Sequence, residues 1–349
     1  MVLRIAFLTV GDPQRRTGGY LYHREVFRCW QARNQPVEEI VLGPADVAGQ
    51  IAASDRAGKL VEAGRYDVIV VDALARAVVA PWIAHWQRLR PVVTLVHELP
   101  TVAGASDPRE HTWEQMLLRT DALVAVSDDG ANILIAHGAE PARIHIAAGG
   151  CDRLLSRMPT VEAREELVIA VAQWIPRKNL AHLVRVWGQV AEHPWRLELI
   201  GESDADPVYA GEVWQAIQRC PANVIVRGVL ADDELAERYA RASLFALPSR
   251  FEGYGLVFAE ALACGLPVIA GAVGPVPAVV GAGGMLVHPD DEQALSVALR
   301  TAMSDAHLRQ QLSTAARQRA NTLPRWQDTA QHLLHAIEWA YAQRHRVST

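Results

Sequence analysis

Short apolar runs alternate with helical patterns along this chain, and that alternation limits the folds it can adopt. In the first half the apolar runs cover residues 4–10, 38–42, 66–71, 92–96 and 122–126. A helical pattern at residues 19–33 separates the first two runs. Strands rich in Val and Ile that are joined by helices are typical of a parallel sheet covered on both faces. We therefore predict an α/β fold, whose ligands bind beyond the carboxyl ends of the strands.

The length of 349 residues exceeds one ordinary hydrophobic core and predicts two domains. Apolar residues make up 50% of the chain and charged residues 21%, which predicts a globular protein and excludes a disordered one. The net charge of −5 argues against nucleic acid as the main partner, since proteins that bind it usually carry a basic surface.

Cysteine spacing and hydropathy suggest where the protein works. The four cysteines are scattered, with no CxxC pair and no metal-binding spacing, which is typical of reduced intracellular thiols. Residues 1–10 carry Arg4 inside an apolar run, which predicts a first strand and not a signal peptide. No apolar run approaches the ~20 residues that a transmembrane helix needs. We expect a cytoplasmic protein without a transmembrane segment, at most peripheral at the inner membrane face.

The stretch at residues 250–260 combines a glycine turn, Gly253-Tyr254-Gly255, with two flanking carboxylates, Glu252 and Glu260. An apolar run at helical spacing begins at Leu256 and ends before a Gly-Leu-Pro stop. A helix starting there directs the N–H groups of Leu256 and Val257 over the glycine turn, which makes an anion site suited to a diphosphate. Carboxylates beside such a site suit hydroxyl groups. A nucleotide sugar has both features; the alternative is a buried strand–turn–helix whose glutamates cap the helix and meet solvent.

Arg177 and Lys178 follow a strand predicted at residues 167–172 and precede Asn179, a good helix N-cap. Apolar residues then recur at helical spacing. Two cations at a helix N-terminus are electrostatically misplaced unless an anion binds them. This position therefore favours a diphosphate clamp over a solvated pair.

Two segments of the first half also lie where ligands bind in such sheets. A polar loop at residues 11–20 contains Gly18 and Gly19 and opens a helix, but it lacks the GxGxxG pattern of nicotinamide and flavin sites. His97 follows the strand at residues 92–96, so its ring and carbonyl face the crevice at the sheet edge. The alternatives are a plain helix-opening turn and a structural or solvated histidine.

Residues 248–256 and 260–270, which hold this glycine turn and both glutamates, closely resemble the Glu-x7-Glu signature of retaining family-4 glycosyltransferases. The resemblance covers nearly the whole chain, is strongest at residues 224–270 and loosest before residue 92. It implies the GT-B architecture, with two Rossmann-like domains and a donor/acceptor cleft between them. Residues 1–155 would form the acceptor domain and residues 165–324 the nucleotide-sugar donor domain. A final helix at residues 325–342 would pack back on the first domain.

The resemblance also implies roles for individual residues. His97 would border the reacting carbon of the donor sugar, and Lys178 would neutralise the leaving diphosphate. Glu252 would hold sugar hydroxyls, and Glu260 the ribose hydroxyls. The remaining donor-binding residues would be Gly18, Gly19, Arg177, Arg227, Gly228, Val229, Gly253, Tyr254, Gly255, Leu256 and Val257. No metal and no cofactor is expected, since the cations and the helix N-terminus supply the positive charge.

The expected reaction is transfer of a hexosyl unit, with retained anomeric configuration, from a nucleoside diphosphate sugar to an acceptor hydroxyl. GDP-mannose and UDP-hexose both remain open as donors. The product would be a glycan, a glycolipid or a small-molecule glycoside, and the acceptor, lipid-linked or not, stays open. No nucleic acid partner is expected.

The chain departs from the family pattern at two positions. Gln173 stands where members often have Arg, and Ala278 replaces a Glu. A non-catalytic nucleotide-sugar-binding scaffold is therefore the runner-up. A nicotinamide oxidoreductase, the third option, lacks the glycine fingerprint.

Two further segments have competing interpretations. Asp204 and Asp206 form a D-x-D, a weak sign of a metal-dependent glycosyltransferase. Residues 80–90 mix tryptophans with arginines, which fits a membrane-surface patch. We favour a helix that packs its tryptophans inward and leaves its arginines in solvent.

Overall fold

A computed structural model describes residues 2–61, 63–190, 192–220 and 223–346. The chain divides into two compact units. The first comprises Met1–Gly149 and Trp326–Thr349, and the second comprises Gly150–Arg325. The last helix of the chain is therefore part of the first unit.

The described residues form twelve strands. They are β1 (Ile5–Thr9), β2 (Val37–Val41), β3 (Val68–Asp72), β4 (Val92–Val96), β5 (Ala122–Ala125), β6 (Ile144–Ile146), β7 (Leu167–Val171), β8 (Arg196–Ile200), β9 (Val224–Gly228), β10 (Leu244–Leu247), β11 (Val268–Gly271) and β12 (Gly284–Val287).

The same residues form fourteen α-helices, with short 3₁₀ turns among them. The helices are α1 (Gly18–Ala32), α2 (Val47–Leu60), α3 (Arg76–Val79), α4 (Ile83–Leu89), α5 (Glu110–Leu117), α6 (Asp128–Ala136), α7 (Leu180–Val190), α8 (Pro207–Arg219), α9 (Asp232–Arg241), α10 (Leu256–Ala263), α11 (Val276–Val280), α12 (Glu292–Ser304), α13 (Ala306–Ala320) and α14 (Trp326–Arg346).

The strands of the first unit form a sheet in the order β2-β1-β3-β4-β5-β6, and each described pair is parallel. All five residues of β1, of β3 and of β4 are buried, as expected for strands covered by helices on both faces. The predicted parallel α/β fold is confirmed here. Strand order reverses at β1, because β2 lies on one side of it and β3 on the other. Ligands bind beyond the carboxyl ends of strands at such a reversal.

The second unit repeats this arrangement with the order β12-β11-β10-β7-β8-β9, again with parallel pairs among the described strands. The reversal lies at β7, which has β8 on one side and β10 on the other. The loops that follow β7 and β10 therefore meet at one place on the sheet edge. They contain Lys178 and Glu252, respectively.

Helix α14 packs on the first unit through buried aromatic and polar contacts. The Trp30 indole N–H donates to the carbonyl of Ala330 at 2.9 Å, and Thr329 Oγ1 donates to the carbonyl of Ala148 at 2.7 Å. The rings of Tyr22 and Trp326 meet edge to face, 5.7 Å apart. These contacts bring α14 into the same unit as α1.

The segment at residues 80–90 forms a 3₁₀ turn followed by α4. The Trp86 side chain is fully buried, whereas Arg88 is exposed. The interpretation of an inward-packed helix is therefore supported for this segment. Among the described residues, no helix is both long and apolar enough to cross a bilayer.

One local prediction was wrong. Asn179 directly precedes α7, but its backbone is left-handed (φ 58°, ψ 30°), whereas N-cap residues normally have extended angles. Its buried side-chain amide donates to the carbonyl of Pro289 at 2.8 Å. Asn suits this position because it tolerates left-handed angles better than most residues. The residue therefore joins two loops instead of capping the helix in the ordinary way.

Asp206, the second aspartate of the Asp204-x-Asp206 pair, has a structural role. Asp206 Oδ1 accepts hydrogen bonds from the backbone N–H groups of Val208 and Tyr209, at 3.1 and 3.0 Å. Asp206 is thus the N-cap of α8.

Candidate active site

In the first unit, the loop between β1 and α1 is held by Arg24. Its Nη1 donates to the carbonyls of Pro13 and Arg15, at 3.1 and 3.0 Å. Helix α1 then begins at Gly18, with Thr17 as its N-cap. A Cβ on Gly19 would lie 3.2 Å from Leu74 Cδ1 and 3.6 Å from the His97 ring. The glycine therefore allows the start of α1 to approach His97 closely.

His97 lies just beyond β4, is partly buried, and joins two fully buried polar side chains. His23 comes from α1, and Asp72 is the last residue of β3. His23 Nε2 is 3.2 Å from His97 Nε2 and 3.1 Å from Asp72 Oδ2. Because β1, β3 and β4 are neighbours in the sheet, these three residues meet at its carboxyl edge. We call them the histidine cluster.

The electrostatics of this cluster favour a neutral His97. Burial lowers the pKa of the His97 ring to about 4, although the Asp72 carboxylate acts in the opposite direction. Burial also raises the pKa of the Asp72 carboxyl, but His23, His97 and the N–H of Leu74 together more than offset this, so that the net shift is downward. At neutral pH, Asp72 is therefore ionised and His97 is uncharged.

In the second unit, Lys178 and Glu252 form an ion pair. Lys178 Nζ donates to both carboxylate oxygens of Glu252, at 2.7 and 2.8 Å. The side chains are only 14% and 6% exposed. The two residues come from the loops after β7 and β10, on either side of the strand reversal. We call them the lysine–glutamate pair.

The same two loops are joined by their backbones and by a ring contact. The N–H of Arg250 donates to the carbonyl of Arg177 at 2.7 Å. The Arg177 guanidinium lies over the Phe251 ring, 5.7 Å from its centroid. Arg177 is therefore adjacent to the lysine–glutamate pair in the chain and in space, as a second cation at this edge of the sheet.

Helix α10 begins at Leu256, as the sequence predicts. Gly255 precedes it with left-handed angles (φ 99°, ψ 49°), which favour glycine. The N–H groups of Phe258 and Ala259 both donate to the Gly255 carbonyl. Those of Leu256 and Val257 have no acceptor within the helix, because the first N–H groups of any helix lack one. They lie directly after the glycine turn, Gly253-Tyr254-Gly255, whose Tyr254 ring is largely buried.

Glu260 lies one turn further along α10 and is almost fully buried. Arg153 Nε donates to Glu260 Oε1 at 2.8 Å, and Arg153 Nη1 donates to Asp232 Oδ1, also at 2.8 Å. The pKa of the Arg153 guanidinium is raised, since the attraction of the two carboxylates outweighs its burial. A single guanidinium thus fixes the orientation of the second glutamate of the signature.

Three of the predicted donor-binding residues, Arg227, Gly228 and Val229, lie at or just after the end of β9. Arg227 Nη2 donates to Glu198 Oε1 at 2.7 Å, and Glu198 is completely buried. Gly228 has a φ of 67°, which turns the chain, and the Val229 side chain after it is 53% exposed. Arg227 is therefore already engaged by a carboxylate, while Val229 is accessible.

The two departures from the family pattern each have a local partner. Gln173 Nε2 donates to Glu202 Oε2 at 2.6 Å, so this loop is tied to the one after β8. The carbonyls of Ala278 and Val279 accept hydrogen bonds from Arg319. The segment that lacks the family Glu is therefore not a loop but helix α11, and Arg319 holds its carbonyl groups.

Sequence reasoning missed four residues that contact the predicted site residues or the partners of those residues. They are His23 and Asp72 beside His97, and Arg153 and Asp232 around Glu260. His23 lies inside a helical pattern, and Asp72 follows an apolar run, so the sheet topology was needed to bring both to His97. The spacing of 107 residues between Arg153 and Glu260 gives no local signal.

Within the part of the chain that the structure describes, one group of ligand-type atoms could hold a metal ion. The imidazole and carboxylate atoms of His23, Asp72 and His97 lie within 4.8 Å of one another. A hydrogen bond between the two histidines accounts for their closeness without an ion.

Comparison with known proteins identifies similar sequences for both units. Residues 15–153 match the family described as Glycosyltransferase Family 4, and residues 156–319 match Glycosyl transferases group 1. A D-inositol 3-phosphate glycosyltransferase of Kineococcus radiotolerans is 30% identical over 294 residues, covering 72% of this chain and 67% of the relative. An MMP alpha-(1->4)-mannosyltransferase of Mycolicibacterium hassiacum is 27% identical, over 64% of this chain and 55% of the relative.

Solved structures share the fold. The sucrose-phosphate synthase of Thermosynechococcus elongatus has a TM-score of 0.83 at 22% identity, over 97% of this chain and 99% of that one. The Anabaena protein HepE, solved in complex with UDP-glucose, has a TM-score of 0.80 at 19% identity, over 96% and 99% of the two chains.

Proposed function

The chain belongs to the family-4, group 1 glycosyltransferases and has their GT-B fold, and on this premise we propose that it transfers a hexosyl unit from a nucleoside diphosphate sugar to an acceptor hydroxyl. The proposal includes retention of the anomeric configuration, by resemblance to the Glu-x7-Glu signature. UDP-hexose and GDP-mannose are the candidate donors. HepE was solved with UDP-glucose, which supports the first, and one relative is named a mannosyltransferase, which supports a mannosyl donor.

The observation that carries the proposal is the lysine–glutamate pair. Both contacts to Glu252 fix the Lys178 ammonium group, a compact positive charge that attracts a phosphate oxygen, at the edge of the second sheet. A carboxylate has about four acceptor positions, so Glu252 retains two for sugar hydroxyls. The pair is nearly buried, which strengthens its interaction with a developing charge. One lysine and one glutamate can thus serve the diphosphate and the sugar together.

The start of α10 supplies the other half of the diphosphate site in this proposal. The N–H groups of Leu256 and Val257 and the helix dipole attract an anion at this point. Together with Lys178 and Arg177 they would stabilise the negative charge that builds up on the leaving diphosphate. Such preorganised electrostatic stabilisation is commonly the largest contribution to catalysis.

The remaining residues complete the donor site. Glu260, held by Arg153, would accept hydrogen bonds from the ribose hydroxyls. The end of β9, at Gly228 and Val229, would meet the nucleobase. Gly18, Gly19 and His97 of the first unit would contact the diphosphate and the donor sugar. Several relatives are named for an inositol phosphate acceptor, so this compound belongs in the first acceptor panel.

Metal independence is part of the proposal, because the cations and the helix N-terminus supply the charge that a divalent ion provides elsewhere. Turnover should therefore be the same after exhaustive dialysis against EDTA as after restoring Mg²⁺ or Mn²⁺. A return of activity only with the ion would contradict this part of the proposal.

The test is to incubate the protein with UDP-glucose or GDP-mannose and a panel of acceptors, and to measure nucleoside diphosphate release and product anomer by NMR. We expect one donor to be consumed with retention, and far more slowly by Lys178→Ala. Lys59 is the only other lysine in the sequence and lies exposed on α2, so Lys59→Ala is the matched control. Donor binding without transfer to any acceptor would instead favour a non-catalytic nucleotide-sugar-binding subunit.

A further inference from the structure

The histidine cluster contains two side chains, His23 and Asp72, to which the proposed reaction assigns no role. The distances within the cluster indicate which ring nitrogens of the two histidines carry a proton. His23 Nε2 faces two atoms, His97 Nε2 at 3.2 Å and Asp72 Oδ2 at 3.1 Å. Asp72 Oδ1 is separately engaged by the N–H of Leu74, at 2.9 Å. All three side chains lie at the carboxyl edge of the first sheet, where ligands of such sheets bind.

Asp72 decides which histidine carries the proton between the two rings. One of the two Nε2 atoms must donate to the other, because two lone pairs or two N–H groups at 3.2 Å would repel each other. If His97 donated, the lone pair of His23 would face an ionised carboxylate oxygen 3.1 Å away. If His23 donates, its N–H lies next to that carboxylate and is attracted by it. The second arrangement has the lower energy.

The remaining ring atoms agree with this assignment. His23 Nδ1 is buried and has no hydrogen-bond partner among the described residues. Left without a proton, it is an unsatisfied acceptor, which proteins tolerate better than a buried unpaired N–H. His97 Nε2 then accepts, so the proton of a neutral His97 lies on Nδ1. No hydrogen bond among the described residues uses His97 Nδ1.

We propose that Asp72 and His23 are positioning residues that hold His97 as a neutral ring with its proton on Nδ1, ready to donate a hydrogen bond to an oxygen atom of the ligand. This role rests on the proposed function, in which His97 borders the donor sugar. It makes His97 a hydrogen-bond donor to the sugar and not a general base, because its Nε2 lone pair is already occupied. The low pKa of His97 agrees with this arrangement.

The test reads the protonation state directly, in the complete protein without ligand. Histidine ring nitrogens with and without a proton have separate ¹⁵N NMR frequencies, and His23→Gln and His97→Asn assign the two rings. At pH 7 we expect the proton on Nε2 of His23 and on Nδ1 of His97. In Asp72→Asn the amide can donate to His23 Nε2, so both tautomers should reverse, as an Asp-to-Asn change does in serine proteases.

His145→Phe is the matched control, since His145 is a half-buried histidine of the same unit that packs on Trp339. It should leave the resonances of His23 and His97 unchanged. A His97 ring protonated on Nε2 in the wild type would overturn the proposal. The same tautomers of His23 and His97 in Asp72→Asn as in the wild type would also overturn it. So would one equivalent of a divalent ion in the purified protein that is lost in Asp72→Asn, because the cluster would then be a metal site.

A kinetic comparison tests the consequence for transfer. His23→Phe preserves the packing against Phe7 and Phe27 but removes the donor, whereas the side-chain amide of His23→Gln keeps one. We expect kcat to fall roughly 10²-fold in His23→Phe, the scale of losing one oriented donor, and to recover in large part in His23→Gln. Affinity for the free nucleoside diphosphate should not change in either variant. Equal kcat values in both variants would contradict the positioning role.

The two readouts separate this inference from the proposed function. Tautomers as expected, in a protein that turns over no donor, would reject the proposed function and keep the proton arrangement. Turnover of a donor by a protein with the opposite tautomers would reject this inference alone.

Discussion

Arg153 and Glu260 form an ion pair, with Nε and Oε1 2.8 Å apart and side chains only 5% and 4% exposed. The pair joins the segment at the start of the second unit to the helix that carries the signature. Arg153 also binds Asp232 on α9. One arginine therefore sets the position of the carboxylate proposed to hold the ribose.

Arg153→Ala should destabilise the protein strongly, because Glu260 is then left as a buried charge without its partner. Removing one member of a buried pair commonly costs about 3–5 kcal/mol. Urea unfolding measures this change. Arg157→Ala is the matched control, since Arg157 pairs with Asp233 at the solvent-exposed surface, where an ion pair contributes little to stability. Equal destabilisation by both variants would show that the buried pair has no special role.

Lys178→Ala should lower turnover by roughly 10²-fold or more, the scale of losing one charge stabiliser in a transition state. Lys178→Arg keeps the charge but replaces a compact ammonium by a planar fork, so it should recover only part of the rate. Steady-state kinetics of both variants, with Lys59→Ala as control, measure this. Near-wild-type turnover in Lys178→Ala would contradict the assignment of Lys178.

Gly255→Ala should weaken binding of the diphosphate. The residue has a φ of 99°, and a Cβ there would lie 2.7 Å from the Phe258 ring, so the start of α10 must shift. We expect the variant to bind a nucleoside diphosphate at least tenfold more weakly by calorimetry. Gly211→Ala is the control, because a Cβ on this residue of α8 has no neighbour within 4 Å. Gly211→Ala should bind the nucleoside diphosphate as the wild type does. An equal loss of affinity in Gly211→Ala and Gly255→Ala would contradict a role of the glycine turn in diphosphate binding.

The sequence predicts those features of the site that depend on residues close together in the chain. It misses the contacts between residues that are far apart in the chain. The glycine turn and the start of α10 at Leu256 follow from residue types at fixed short spacing, and the structure has the helix start there. Arg153, by contrast, reaches Glu260 across 107 residues, and no pattern near either residue indicates it.

Asn179 and Asp72 are two further residues whose structural roles could not be predicted from the sequence. Asn is favoured both at N-caps and in left-handed turns, and a contact with Pro289, 110 residues away, selects the second. Asp72 ends a fully buried strand, where a carboxylate is tolerated because of the His23 ring. Both outcomes depend on neighbours that only the folded chain brings together.

The stability of the protein should decline as the pH falls from about 6.5 towards 4, in part because of His97. Its pKa is about 4 in the folded state and 6.5 ordinarily, so in this window the unfolded chain binds the extra proton. Above pH 6.5 the His97 ring is uncharged in both states and does not reduce the free energy of unfolding. As the pH falls towards 4, this free energy should decrease by roughly 2–3 kcal/mol because of His97. Urea unfolding at pH 7 and pH 4.5, for the wild type and His97→Asn, measures it.

Burial also lowers the pKa of His145 and His182, so these residues contribute with the same sign in the same window. The difference between wild type and His97→Asn isolates His97. The pKa of Asp72 is lowered, so its contribution is lost only at still lower pH. An identical pH dependence in both proteins would show that His97 does not titrate as described.

The most direct test of the account is calorimetric binding of UDP, GDP, ADP and NAD to the wild type, Lys178→Ala and Lys59→Ala. We predict that UDP or GDP binds the wild type and Lys59→Ala with a micromolar constant, worth about −8 kcal/mol, and that Lys178→Ala loses this binding. The nucleotide that binds would also name the donor base. Failure of all four to bind the wild type, or equally tight binding to Lys178→Ala, would contradict the donor site proposed around the lysine–glutamate pair.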